Sequence, residues 1–183
     1  MMDELSLNIL DIAQNSIAAE ATLIEIDVEE DDSNDSVIIR IKDNGKGMSR
    51  EFLETVQDPF TTSRSTRKIG LGISFLKEAA EITGGHIELE SVLGSGTTVT
   101  ALFGKNHIDR QPIGDLTGTI VTLVQLNPSI DFEVRYKVNN NGFVFSTQEV
   151  RIMLGEDAEL NSPPIVGVPV FTRWVCGPSV RMG

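Results

Sequence analysis

Two polar side chains near the amino terminus, Asp11 and Asn15, could act together on one ligand because they are four positions apart. On a helix they lie one turn apart on one face, so a carboxylate and a carboxamide oxygen can both face one metal-bound phosphate group. Mg²⁺ prefers such oxygen ligands and keeps several waters. The structural alternatives are a helix-surface amide for Asn15, and an exposed carboxylate or a helix-dipole partner for Asp11.

A second polar position follows an alternating apolar run, where the letters DNGKGM occupy residues 43–48. Asp43 ends a predicted strand and can accept a hydrogen bond from an exocyclic amine. Discrimination of adenine from guanine needs such a buried acceptor, because an unpaired buried polar group costs about 1–3 kcal/mol. Taken alone, the same letters are typical of a plain turn.

Hydroxyl and basic side chains are concentrated in residues 58–70, in a chain that is otherwise acidic, and include Thr62 and Lys68. Triphosphates are bound by both kinds of donor. A solvated basic loop is the alternative. The next helix is predicted to begin with unpaired amide groups and a positive dipole end, which suit a phosphate. Its opening residues are Gly70, Leu71 and Gly72.

Hydrophobic periodicity predicts the helices and strands on which these residues lie. Residues 4–20 have helical periodicity with one narrow polar stripe, which indicates a largely buried helix whose stripe contacts something. Residues 22–43 and 84–103 each alternate as a pair of strands, and residues 71–83 predict an amphipathic helix. This order predicts a two-layer α/β sandwich, with helices on one face of a mixed, mainly antiparallel sheet.

Composition divides the chain into three parts. Residues 1–104 contain all the candidate site residues, and residues 105–160 predict a small helix-hairpin-helix extension. The extension would serve as a partner platform or a homodimer contact, and its packing on the first part stays open. Residues 161–183, with four prolines and no acidic residue, predict no regular element. A flexible tail, a subunit contact and a sequence not native to the domain all fit them.

Several common nucleotide and hydrolase signatures are absent from the sequence. It contains no G-x-x-x-x-G-K-[ST], no complete G-x-G-x-x-G, no H-E-x-x-H, no paired C-x-x-C and no G-x-S-x-G. The P-loop is therefore absent, and the usual nucleotide and hydrolase folds are disfavoured.

Four separated segments nevertheless follow one another in a characteristic order, at residues 11–21, 43–48, 58–73 and 94–98. Their order and residues resemble the GHKL ATPase superfamily, which includes histidine-kinase catalytic domains, the ATPase part of DNA gyrase, MutL and heat-shock chaperones. In that family's terms they look like the N box, the G1 box, the ATP lid with the G2 box, and the G3 element. The resemblance covers about residues 4–104 and implies a Bergerat-type fold that binds ATP and Mg²⁺.

The resemblance also implies a role for each matched residue. It places Asn15 on the Mg²⁺ ion, and Asp11 where hydrolysing members have a Glu that orients or deprotonates the attacking water. The Asp here is one methylene shorter, which argues for slow hydrolysis. The resemblance assigns Asp43 to the adenine amino group and the Thr97 hydroxyl to the adenine region. The glycines that let the backbone approach the ligand are Gly45 and Gly47.

Two function classes agree with these residues. The first is an enzyme that transfers the γ-phosphoryl group of Mg-ATP to water or to a partner protein, with stand-alone anti-sigma-factor-type serine kinases as the model. The second is a non-catalytic ATP-gated module that binds a partner protein. Because the N box begins within a few residues of Met1, we expect no phosphoacceptor hairpin and no autophosphorylation on an internal histidine.

Charge and cysteine content restrict the partners and the compartment. The net charge of −12 repels nucleic-acid backbones and anionic membranes. Cys176 is the single cysteine, so no internal disulfide can form. The amino terminus has no basic segment followed by a long apolar run. We therefore expect a cytoplasmic protein with neither nucleic acid nor a membrane as its partner.

Overall fold

The structure is a computed structural model that describes residues 4–57 and 71–154. Within these ranges the helices are α1 (Leu5–Ala18), α2 (Arg50–Gln57), α3 (Leu71–Ile82), α4 (Leu116–Leu126) and α5 (Thr147–Leu154). The strands are β1 (Leu23–Asp31), β2 (Ser36–Asp43), β3 (His86–Val92), β4 (Gly96–Gly104), β5 (Asp131–Val138) and β6 (Asn141–Ser146). The predicted site residues Thr62, Lys68 and Gly70 lie outside the described residues, as does the predicted tail, 161–183.

These strands form one sheet in the order β3-β4-β2-β1-β5-β6. Neighbouring strands are antiparallel, except that β1 and β5 run parallel. In β1, Ile24, Ile26 and Val28 are buried, while the acidic residues between them point to the opposite face, as the alternation of a strand requires. The predicted mixed, mainly antiparallel sheet is confirmed.

The helices α1, α3 and α4 pack together with one face of the sheet. Ile9 of α1, Leu76 of α3 and Leu123 of α4 belong to the same buried cluster as the apolar strand residues. Burial of each such side chain stabilises the fold by about 1.5–3 kcal/mol. The predicted two-layer α/β sandwich is therefore confirmed. Among the described helices, none has the length and apolar character needed to cross a bilayer.

The segment before α4 is tied to the first turn of α1. The N–H groups of Leu5 and Ser6 donate to the carbonyls of Pro112 and Ile113, at 2.9 and 2.8 Å. These amides have no partner within their own helix, so the contact satisfies donors that α1 leaves open. The start of α1 is fixed by residues more than a hundred positions away in the chain.

The residues after 104 continue the same sheet. The predicted helix, hairpin and helix are present as α4, β5 with β6, and α5, and β5 pairs with β1 over eight positions from Leu23 to Glu30. Phe132 and Val134 of β5 are buried in the common core. The hairpin that follows residue 104 therefore extends the sheet formed by the earlier strands.

Candidate functional site

The pairing of β2 with β4 brings two predicted site residues together. Asp43, the last residue of β2, lies directly opposite Thr97, the second residue of β4. The chain between them includes the turn after β2, the helices α2 and α3, and strand β3. The structure therefore joins positions that are 54 residues apart in the sequence.

A pocket of about 390 Å³ opens beside this pair. It lies between α1, the residues that follow β2, and the ends of β2 and β4, and its walls are mainly apolar with a few polar groups, as in most small-molecule sites. The apolar wall includes Ile12, Ile41, Phe52, Ile73 and Val99. The predicted site residues in the lining are Asn15, Asp43, Gly47 and Thr97.

Asp43 is 7% exposed, and its carboxylate accepts hydrogen bonds from three described residues. Oδ1 accepts from the N–H groups of Gly45 at 2.9 Å and Thr97 at 3.3 Å. Oδ2 accepts from the hydroxyl of Ser16 at 2.7 Å. Because two carboxylate oxygens offer about four acceptor positions, the described contacts leave one position on Oδ2 for a donor in the pocket.

The hydroxyl of Thr97 is hydrogen-bonded to Ser91, a residue that no pattern in the sequence indicates. Ser91 Oγ lies 2.9 Å from Thr97 Oγ1 and donates to the carbonyl of Gly96 at 3.0 Å. It also accepts from the N–H of Met48 at 2.8 Å. Ser91 therefore connects the turn after β2 to the start of β4, two of the segments that line the pocket.

Close approach of protein backbone explains both glycines of the turn after β2. A Cβ atom on Gly45 would lie 2.7 Å from the carbonyl oxygen of Ala19. At Gly47, where φ is +63°, a Cβ atom would lie 2.0 Å from the carbonyl oxygen of Val92. Each position therefore excludes a side chain before any ligand is considered, and contact of these glycines with a ligand stays a prediction.

Asn15 and Asp11 are both half-buried on α1 but have different neighbours. Asn15 lines the pocket. The Asp11 carboxylate lies against the first turn of α3, where a Cβ atom on Gly72 would be 1.9 Å from Oδ2. Gly72 thus permits the close contact of the two helices, and the positive end of the α3 dipole favours a carboxylate there. Asp11 is not among the residues that line the pocket.

Most of the predicted phosphate-binding residues cannot be placed. Thr62, Lys68 and Gly70 fall outside the described residues, and Leu71 begins α3 with a side chain that is also outside them. Within residues 4–57 and 71–154, no group of three His, Cys, Asp or Glu side chains could hold a metal by itself. Asn15, which lines the pocket, could offer one oxygen to a Mg²⁺ ion, whose other ligands would come from phosphate and water.

The sequence is similar to parts of several bacterial kinases and sensors. It is 32% identical over 98 residues to sporulation kinase D of Bacillus subtilis, 33% over 99 residues to sensor histidine kinase ZraS of Salmonella typhimurium, and 35% over 102 residues to sensor protein SrrB of Staphylococcus aureus. These alignments cover 54%, 54% and 53% of this chain, but 19%, 21% and 17% of those proteins. The chain thus spans about a fifth of the length of each relative.

Two solved structures are similar at low identity. The Aquifex aeolicus MutL ATPase domain complexed with ADP has 16% identity and a TM-score of 0.48, and the comparison covers 75% of this chain and 61% of that one. The N-terminal domain of a DNA repair protein has 19% identity and a TM-score of 0.49, over 78% and 52% of the two chains. The family described as histidine kinase-, DNA gyrase B- and HSP90-like ATPase matches residues 1–107. That match covers more than half of the 183 residues, and the chain therefore belongs to this ATPase family.

Proposed function

We propose that the chain binds Mg-ATP in this pocket and uses it to act on a partner protein. The proposal rests on the buried Asp43 carboxylate, which has one acceptor position that no described residue fills. The adenine amino group would donate to this position, while the apolar walls pack against the ring. Guanine has a carbonyl oxygen at the corresponding place, and two acceptors would then face each other.

Asn15 and Asp11 would serve the triphosphate end of the nucleotide. Asn15 would offer its amide oxygen to the Mg²⁺ ion, which supplies charge neutralisation of the phosphates. The amide groups that begin a helix have no partner within that helix, so the start of α3 would suit a phosphate oxygen. We include Thr62, Lys68 and Gly70 in the phosphate-binding set because of their donor chemistry and their place in the sequence.

The proposed reaction is slow transfer of the γ-phosphoryl group to water or to a side-chain hydroxyl of a partner protein, as in anti-sigma-factor-type serine kinases. A bond forms between phosphorus and the attacking oxygen, the bond to the β-phosphate oxygen breaks, and ADP leaves. Asp11 would accept the proton of the attacking group. Most of the acceleration would come from positioning and charge neutralisation.

A second candidate is a non-catalytic ATP-gated binding module. It is favoured by the position of the Asp11 carboxylate, which lies against Gly72 and outside the pocket lining. A carboxylate that stays packed against Gly72 would be less free to take a proton from the attacking group, and ATP would then act by shifting the population of two conformations. The net charge of −12 supports a protein partner in either case. We also propose a cytoplasmic location and contact between two copies of the chain.

Incubation of the intact protein with γ-labelled Mg-ATP, alone and with cell extract, tests the proposal. Released phosphate or a labelled partner supports the enzyme, and Asp11→Asn should then lose about 10²–10⁴-fold in turnover while it keeps its ATP affinity. Asp109→Asn, an exposed carboxylate outside the pocket lining, is the matched control and should behave as the parent.

Binding of ATP without released phosphate and without a labelled partner would support the ATP-gated binding module. Equal turnover by Asp11→Asn and the parent would exclude Asp11 as the base. Absence of ATP binding by the parent would refute the proposed function as a whole.

A further inference from the structure

Ser16 is buried on α1, at 4% exposure, and lines the pocket beside Asp43. Its hydroxyl has one proton and two acceptors within reach, the Asp43 Oδ2 at 2.7 Å and the Ile12 carbonyl at 3.4 Å. The shorter distance and the charge of the carboxylate both favour donation to Asp43. No pattern in the sequence selects Ser16, because its partner lies 27 residues further along the chain.

The donors to Asp43 are divided unequally between its two oxygens. The N–H groups of Gly45 and Thr97 both go to Oδ1, and the hydroxyl of Ser16 alone goes to Oδ2 among the described residues. Oδ2 is also the oxygen that keeps an open acceptor position. The backbone donors therefore fix one end of the carboxylate, and one side-chain hydroxyl fixes the end that would meet a ligand.

We propose that Ser16 is a positioning residue for purine selection, which holds Asp43 Oδ2 so that a single acceptor position faces the pocket. This inference rests on the proposed function, since it assumes that a purine amino group donates to Asp43. Without the hydroxyl, Oδ2 has a second open position, and the carboxylate can rotate or bind a water in place of the amine. Ser16 would thus act on the ligand through Asp43.

A nucleotide that lacks the exocyclic amine can distinguish the positioning role of Ser16 from a general structural role in the pocket. The probes are ATP and purine riboside triphosphate, which differ by the exocyclic amino group, and the variants are Ser16→Ala and Ser16→Cys in the intact chain. Ala favours the helix, and Cys keeps a side chain of similar shape with a weaker donor. Ser6→Ala is the matched control, because Ser6 is also buried on α1 but donates to Glu4.

Titration calorimetry with Mg²⁺ should show ATP affinity reduced roughly tenfold in both Ser16 variants, the size expected when a hydrogen bond to a charged group is weakened. The affinity for purine riboside triphosphate should stay unchanged, and Ser6→Ala should match the parent for both nucleotides.

An equal loss of affinity for the two nucleotides in the Ser16 variants would overturn the positioning role without contradicting the nucleotide site. Equal affinity of the parent for both probes would overturn the amine contact, and with it this inference. A parent that binds neither would overturn the proposed function itself.

Discussion

At the scale of single residues, Gly47 has a constraint that another left-handed glycine of the chain does not share. Its φ is +63°, and a Cβ atom there would lie 2.0 Å from the carbonyl oxygen of Val92. Gly84 has a φ of +77°, but no atom lies within 4 Å of its Cβ position. The two positions therefore separate the cost of backbone conformation from the cost of steric overlap.

Gly84→Ala should lower the free energy of unfolding by about 1–2 kcal/mol, the cost of a left-handed residue with a side chain. Gly47→Ala should add about 1–3 kcal/mol of overlap to that cost, and the displaced turn should weaken ATP binding. Denaturant unfolding measures the first effect and nucleotide titration the second. If both variants lost the same free energy of unfolding and kept the ATP affinity of the parent, the close approach of Gly47 to Val92 would not be important.

The residues of the site differ in how far the sequence could reveal them. Asp43 could be predicted as a buried acceptor because it ends an alternating strand inside an ordered set of segments, and the structure buries it. Ser16 and Ser91 could not, because a serine is unremarkable in a helix or a strand until a distant partner is known. Their partners are set by the sheet register and by the packing of α1, which are not local properties.

At the scale of elements, α1 and α3 meet where Asp11 faces Gly72. A Cβ atom on Gly72 would lie 1.9 Å from Asp11 Oδ2, 2.9 Å from its Cγ and 3.3 Å from its Cβ. The carboxylate is the flexible end of a side chain and can rotate away. The contact therefore couples the identity of residue 72 to the position of the proposed base.

A double-mutant cycle should measure this coupling. In an Asp11→Ala background, Gly72→Ala should stabilise the protein by up to about 1 kcal/mol, because alanine is the better helix former and the nearest remaining atom is the β carbon. In the parent background the same change should be neutral or destabilising, so the coupling free energy should reach about 1 kcal/mol. Additive effects, measured by denaturant unfolding, would contradict direct contact of these two residues.

Element types were predictable, but one strand pairing was not. Periodicity predicted α1, α3 and the strands β1 to β4, together with the later helix, hairpin and helix. The parallel pairing of β1 with β5 joins Leu23 to Asp131, and the residues of neither strand specify the other. Packing favours this pairing, because it places Phe132 and Val134 of β5 in the common core.

At the scale of the whole molecule, the part matched by the ATPase family and the part after it share one core. The match ends at residue 107, yet Phe132 is fully buried, and the buried Phe145 belongs to the same cluster. Strand β5 is paired with β1 along its whole length. We therefore expect the described residues to unfold as one cooperative unit.

Phe132→Ala should lower the free energy of unfolding by about 3–5 kcal/mol, the usual cost of removing a large buried side chain. Phe143→Ala, at a half-buried ring 5.7 Å from that of Tyr136, should cost less. Thermal unfolding should keep a single transition in both variants, and ATP should raise its midpoint through binding to the folded state. If Phe132→Ala did not change the midpoint of the ATP-sensitive transition, the part matched by the ATPase family and the part after it would unfold separately.

The role of Asp43 in purine selection can be tested by measuring the affinity of the intact protein for ATP and for GTP in the presence of Mg²⁺. If Asp43 selects the purine, ATP should bind at least about 100-fold more tightly than GTP, because guanine leaves the buried acceptor unpaired. Asp43→Asn should abolish this preference, since an amide can donate as well as accept, and Asp109→Asn should keep it. Equal affinities for ATP and GTP in the parent would show that Asp43 does not select the purine.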